Sequence, residues 1–162
     1  MIELFYSPTP NGRKVSIMLE ETKINYKITH INLSKGEQFK PEFLKLNPYG
    51  KIPVIIDHEK NLVLIESGAI LIYLAKKSKQ FLPQENETKI FEWLMFQMGN
   101  VGPMFGQHHH FHHFNPEKSK YAEDRFFKNS IRIYEVLDKI LSKNDYLAGE
   151  DYSIADIATF PW

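Results

Sequence analysis

Residues 47–70, NPYGKIPVIIDHEKNLVLIESGAI, contain two short apolar runs with a Pro-x-Gly turn before the first and a Glu-Ser junction after the second. Val54–Asp57 and Leu62–Ile65 are β-branched or leucine-rich, and the intervening His58-Glu59-Lys60-Asn61 suits an antiparallel hairpin. Pro53 opens the first run and has no N–H for a sheet ladder. The chain should therefore bend at Ile52-Pro53, through a cis bond if required, and leave the backbone of Ile52 facing outward, where an extended peptide could bond to it. An ordinary edge-strand proline fits the same letters. At the other end, Ser67 suits a helix cap, and its hydroxyl with the adjacent N–H groups also suits a carboxylate, while Glu66 can accept from an ammonium. Together they match an amino-acid end; taken singly, capping explains either.

Working outward, Ile2–Tyr6 reads as a strand, 13–21 as an amphipathic helix, 26–31 as a strand and 41–46 as a short helix. Residues 66–78 close this half as a helix with Ile70, Tyr73 and Leu74 at core spacing. The order βαβαββα over 1–80 predicts parallel pairing across the first helix, an antiparallel hairpin at the end, and helices on both faces of one small mixed sheet. Phe81-Leu82-Pro83 reads as a linker. From 87 to 162 the pattern is helical only: 89–101 carries Trp93, Leu94, Phe96 and Met98, and 118–141 sets Phe127, Ile131, Tyr134, Leu137 and Leu141 three or four apart. The fold class is α/β plus all-α.

YSPTPNGRK, residues 6–14, joins the first strand to the first helix at the carboxyl end of the sheet, where open α/β sheets place ligands. Pro8 and Pro10 stiffen the loop and Gly12 relaxes it before the helix. The free N–H groups and positive dipole end of that helix favour a carboxylate or thiolate, and Thr9 and Asn11 can donate to the same place. A helix cap at Asn11 and a turn residue at Thr9 would account for these letters equally.

The 162 residues are 43% apolar and 25% charged, with 20 basic and 20 acidic side chains. That balance supplies no field for a polyanion, which excludes nucleic acid as the expected partner. No stretch approaches the roughly 20 apolar residues of a membrane span, and Met-Ile-Glu-Leu lacks a signal-peptide pattern, so a cytoplasmic protein without a membrane partner is expected. There is no cysteine. Any sulfur chemistry must arrive on a ligand. HHHFHH, 108–113, invites a metal reading, but no separate Asp or Glu is tied to it by spacing, and no metal is expected. The tract is expected to line a domain cleft or a subunit contact, after a break at Gly-Pro-Met-Phe-Gly.

The loop at 6–14, the Ile-Pro bend and the Glu-Ser junction, in this order, resemble the glutathione transferase superfamily: a thioredoxin-like first domain followed by a helical one. SIADIATFPW at the end resembles that family's capping-box helix, with Ser153 as cap and Asp156 three residues on. SPTPNGRK, GEQFKPEFLKLNPYGKIP, LIESGAILIYLA and GPMFGQHHHF are similar to the bacterial nu-class glutathione-dependent disulfide-bond oxidoreductases. The resemblance implies glutathione as co-substrate, bound extended: its γ-glutamyl end at Glu66 and Ser67, its cysteinyl main chain at Ile52, its glycyl end near Gln38 and Lys51, and its sulfur beside Thr9 and Asn11. It implies that Arg125 reaches this site and that the protein is a homodimer. It also implies helices beyond Trp162, so a C-terminally incomplete second domain is expected. Three activities remain open at this point: reduction of small or mixed disulfides, conjugation of glutathione to electrophiles, and ligand binding without catalysis.

Overall fold

The computed structural model describes all residues from Met1 to Trp162. Its contacts divide the chain into two compact units, Met1–Pro83 and Gln84–Phe160.

In the first unit, β1 (Ile2–Tyr6), β2 (Tyr26–His30), β3 (Val54–Asp57) and β4 (Leu62–Ile65) form one sheet in the order β2-β1-β3-β4. β1 pairs parallel with β2 and antiparallel with β3, and β3 pairs antiparallel with β4. Side chains alternate across the sheet. Ile2, Leu4 and Ile55 are fully buried with Val15, Met18 and Leu19 of α1 (Pro10–Thr22) and Ile70, Leu71 and Leu74 of α3 (Ser67–Ser78). Phe5 points to the other side, where its ring meets Phe43 of α2 (Pro41–Leu44) edge-on at 6.1 Å. Helices therefore cover both faces, as the βαβαββα order predicts.

α1 starts three residues before its predicted beginning at Arg13. Thr9 is the N-cap and Pro10 the first helical residue, a position where proline's missing N–H costs nothing and its fixed φ helps. Asn11 is consequently in the first turn rather than the cap. Gly12 is required on steric grounds, because a Cβ there would collide with the Ser7 carbonyl oxygen.

In the second unit, α4 (Glu87–Phe96), α5 (Gly102–His109), α6 (Lys120–Leu141) and α7 (Ile154–Thr159) are all helical. The break expected at Gly102-Pro103 does not occur. A wide π-type turn at Gln97–Val101 leads directly into α5, placing Pro103 in the first turn, where it interrupts no needed hydrogen bond. On α6 the apolar residues divide: Ile133 and Leu137 are buried, whereas Phe127, Ile131, Tyr134 and Leu141 are exposed. Ser153 caps α7, its Oγ accepting from Ala155, while the Asp156 carboxylate takes the N–H groups of Ser153 and Leu147, both at 2.9 Å.

Asp57, at the end of β3, is completely buried under α3. Burial resists its charge. The Tyr73 hydroxyl, the Lys77 ammonium at 2.9 Å and the Glu59 N–H at 3.0 Å outweigh that resistance and hold its carboxyl down to about 2. A depressed carboxyl stabilises the fold fully above its unfolded value of about 3.9, and that contribution disappears as pH falls through its folded value. Asp57→Asn should cost about 2 kcal/mol at neutral pH. Urea midpoints of the variant and the parent should converge between pH 4 and pH 2.

Candidate functional site

One row of the sheet ladder assembles the site. Phe5 is paired with Val54, and Val54 with Ile65, so the exit of β1, the entrance of β3 and the exit of β4 lie side by side. The loop to α1, the Ile52-Pro53 segment and the Glu66-Ser67 junction extend from these three strand ends. They enclose a cleft of about 270 Å³ lined by Asn11, Asn47, Tyr49, Lys51, Ile52, Pro53, Glu66 and Ser67.

Five residues predicted from sequence thus share the cleft: Asn11, Lys51, Ile52, Glu66 and Ser67. The Ile52-Pro53 peptide is cis, and Ile52 stands outside the ladder, which begins at Val54. Glu66 caps α3 at φ 67° and ψ 114°, a conformation that costs a non-glycine residue roughly 1–3 kcal/mol. It projects an exposed carboxylate at the rim, beside the buried Ser67. Thr9 lies two residues before Asn11 and does not line the cleft. Its Oγ1 accepts from the Gly12 N–H at 3.3 Å, and an accepting hydroxyl retains its own hydrogen for donation. Gln38 also stands off the lining. Its Nε2 donates to the Leu33 carbonyl at 3.4 Å and its Oε1 is buried without a hydrogen-bond partner. Arg125 is an exposed residue of α6 in the second unit, where its Nη1 donates to the Tyr121 hydroxyl at 3.3 Å.

Three residues were not singled out from sequence. Asn47 is buried at 3% exposure and spans the turn before Ile52, its Nδ2 donating to the Lys51 carbonyl at 2.7 Å and its Oδ1 accepting from the Tyr49 N–H at 3.1 Å. Tyr49 is exposed, and the Lys51 ammonium sits 5.5 Å from its ring centroid. Gly50, the glycine of the predicted Pro-x-Gly turn, closes it at φ 66°, with the Phe39 ring 2.9 Å from where a Cβ would stand. The third is Lys14, 1% exposed on α1, with Nζ 3.5 Å from Ser67 Oγ. Burial lowers its ammonium to about 7 against the upward pull of the Glu66 carboxylate. The available signal was a lysine inside the apolar 14, 15, 18, 19 face of a helix, where a charge needs a partner.

The histidine tract is tied to an acidic residue after all: His112 Nδ1 is 2.9 Å from the Glu123 carboxylate. The rings of His108 and His112, and of His109 and His113, stack at 5.3 and 5.0 Å. No group of three or more His, Cys, Asp or Glu side chains is placed to hold a metal ion.

Family models for the glutathione S-transferase N-terminal and C-terminal domains match residues 2–76 and 94–162. The disulfide-bond oxidoreductase YfcG of Escherichia coli is 47% identical over 169 residues, covering 100% of this chain and 79% of its own. This chain belongs to the glutathione S-transferase family. A second relative from Escherichia coli, the disulfide-bond oxidoreductase YghU, is 40% identical; the match covers 99% of this chain but 59% of YghU. Among solved structures, a glutathione transferase from Burkholderia graminis, with two glutathione molecules bound per subunit, superposes with a TM-score of 0.95 at 47% identity, covering 99% of this chain and 70% of its own. One from Pseudomonas putida, with one glutathione disulfide bound per subunit, gives 0.94 at 46%, covering 99% and 73%.

The Asn47 side chain has a consequence that can be measured without a ligand. Asn47→Ala would remove the hydrogen bonds that the buried Asn47 side chain makes with the Lys51 carbonyl and the Tyr49 N–H, and should cost about 1–3 kcal/mol in stability. Amide exchange at residues 49–52 should quicken beyond what the global loss explains, which a simple loss of core packing would not produce.

Proposed function

We propose that this glutathione S-transferase family member is a glutathione-dependent disulfide reductase. The observation that carries the reading is the cleft itself. An open backbone at Ile52, an exposed carboxylate at Glu66 and the Ser67 hydroxyl suit the cysteinyl main chain, the ammonium and the carboxylate of a γ-glutamyl peptide in extended form. Lys51 at the rim suits the glycyl carboxylate, with Gln38 on the same side; Asn11 and Thr9, at the start of α1, suit the sulfur. Arg125 is carried in the same proposal as a fixed charge toward the bound peptide. The relatives named as disulfide-bond oxidoreductases favour reduction over conjugation.

The chemistry follows from the missing cysteine. A thiol of pKa roughly 8.5 is mostly protonated at neutral pH, and each unit of lowering requires about 1.4 kcal/mol of preference for the thiolate. Asn11 N–H donors and the positive end of α1 supply that preference. The bound thiolate attacks one sulfur of a disulfide, forming a glutathione mixed disulfide and expelling the other sulfur as a thiolate that takes a proton from solvent. A second glutathione thiolate then attacks the glutathione sulfur of that mixed disulfide. Oxidised glutathione forms and the remaining thiol leaves, so two glutathiones are consumed per disulfide reduced. Self-association as a homodimer and a cytoplasmic setting, which supplies reduced glutathione, belong to the same proposal.

Glutathione with 2-hydroxyethyl disulfide should give catalysed turnover and stoichiometric oxidised glutathione, well above turnover of an aryl halide. Inactivity toward both substrates would overturn the reading. Asn11→Ala should lower kcat about tenfold or more while KM moves less than about threefold, because the lost donor acts mainly on the charged sulfur. A rise in KM at unchanged kcat would make Asn11 a residue that only positions the peptide.

A further inference from the structure

We propose that Tyr49 is a positioning residue for the glycyl carboxylate of the bound peptide, acting through Lys51: the tyrosine ring holds the Lys51 ammonium at the rim of the cleft, and with it the preference for a peptide whose last residue carries a free carboxylate. This rests on the glutathione reading above and adds to it a residue and a selectivity.

The turn that presents this pair is fixed from several sides. The Gly50 N–H donates to the Asn47 carbonyl at 2.9 Å, which closes a tight turn over 47–50. The buried Asn47 side chain ties both flanks of Gly50 at once, accepting from the Tyr49 N–H at 3.1 Å and donating to the Lys51 carbonyl at 2.7 Å. The Phe39 ring and the Gln38 carbonyl back the turn so closely that no side chain fits at Gly50. The backbone at 49 and 51 is thus set before any ligand arrives, with a residue of positive φ between them. Their side chains meet at the cleft: both line it, and Lys51 Nζ stands 5.5 Å from the Tyr49 ring centroid.

The ring does little for the core. Tyr49 is 74% exposed, so it hides little apolar area from water. Its face is the negative side of an aromatic quadrupole, and an ammonium within about 6 Å of the centroid is attracted to it. Lys51 is itself exposed. An exposed lysine with no such partner samples many rotamers, and a ligand that fixes it must offset that loss. The ring bears part of the loss in the free protein. It also leaves the ammonium usable, because a ring face engages one side of the group while the remaining N–H donors can meet a carboxylate oxygen. Lys51 adjoins Ile52, whose open backbone suits the cysteinyl residue, and the glycyl residue is the neighbour of that cysteinyl in the peptide.

The test compares glutathione with its glycyl monoethyl ester, which keeps the length of the peptide and loses the terminal charge. Calorimetric titration of the full chain should give an affinity for glutathione about tenfold above that for the ester. Tyr49→Leu should weaken glutathione binding about three- to fivefold and ester binding less than about 1.5-fold, while Tyr49→Phe, which keeps the ring face, should stay within about 1.5-fold of the parent on both. In a Lys51→Met background, Tyr49→Leu should have no further effect beyond about 1.5-fold. No loss in Tyr49→Leu, an equal loss on glutathione and ester, or as large a loss in Tyr49→Phe would overturn the role of the ring and leave the glutathione reading standing. So would a parent that binds glutathione and the ester alike, a result that needs no variant to fold. Failure of the parent to bind glutathione would overturn the glutathione reading, and Tyr49 with it.

Discussion

The pairing of Phe5 with Val54 and of Val54 with Ile65 is the constraint on which the first unit's chemistry depends. Three chain segments distant in sequence come together because three strands end or begin in that row. A slip of one residue in the Phe5–Val54 pairing would turn Ile55 and Asp57 from the α1–α3 side to the opposite face and expose the buried core. The same slip would move Ile52 or Glu66 by more than 3 Å along the sheet, beyond the tolerance of a hydrogen-bonded ligand. The register that hides Ile2, Leu4 and Ile55 from water is therefore the register that aligns the cleft.

The two ends of the sheet handle buried charge differently, and the difference separates structure from function. At the far end of β3, Asp57 has a hydroxyl, an ammonium and a backbone N–H around it, and its carboxyl is held down; Lys77, between Asp57 and Glu59, is held up. Each partner favours the charged state of the other, so this cluster fastens α3 to the sheet. At the cleft end, burial lowers Lys14 despite Glu66. The positive φ of Glu66 belongs to the same end. Backbone strain and a buried lysine stand together at the cleft, while the paired Asp57 network stands at the opposite edge.

The first unit was largely legible in the sequence because its signals are local. The alternation of the hairpin strands, the Ile-Pro step and the Glu-Ser junction each follow from residues next to one another. Helix boundaries were less legible: Pro10 reads as loop until Thr9 is known to cap the helix, and α1 then begins three residues early. Lys14 and Asn47 were not legible because their meaning lies in partners brought near by folding, Ser67 for one and the Lys51 carbonyl for the other. In the second unit, period alone could not say which stripe of α6 faces inward. Both 127-131-134-141 and 130-133-137 have helical spacing, and the structure buries the second, which includes a serine. Gly102-Pro103 misled for a related reason: a π-type turn before a proline supplies the room that a regular helix would lack.

An enzyme in which both reacting thiols arrive on ligands must work by position and field alone. With no cysteine in the chain, the proposed reaction passes through no covalent bond to the protein. The protein's influence on rate is then limited to how far it favours the thiolate and how well it aligns three sulfurs. That places the demand on groups that are cheap to hold rigid. Asn11 sits in the first turn of a capped, proline-initiated helix, Ile52 contributes its backbone, and Ser67 is buried at the start of another helix. None needs a long side chain to be ordered when the ligand enters, so little conformational entropy is lost on binding. The longer side chain in this arrangement, Lys14, is already immobilised by burial before any ligand arrives. Its desolvation is borne by the folded protein.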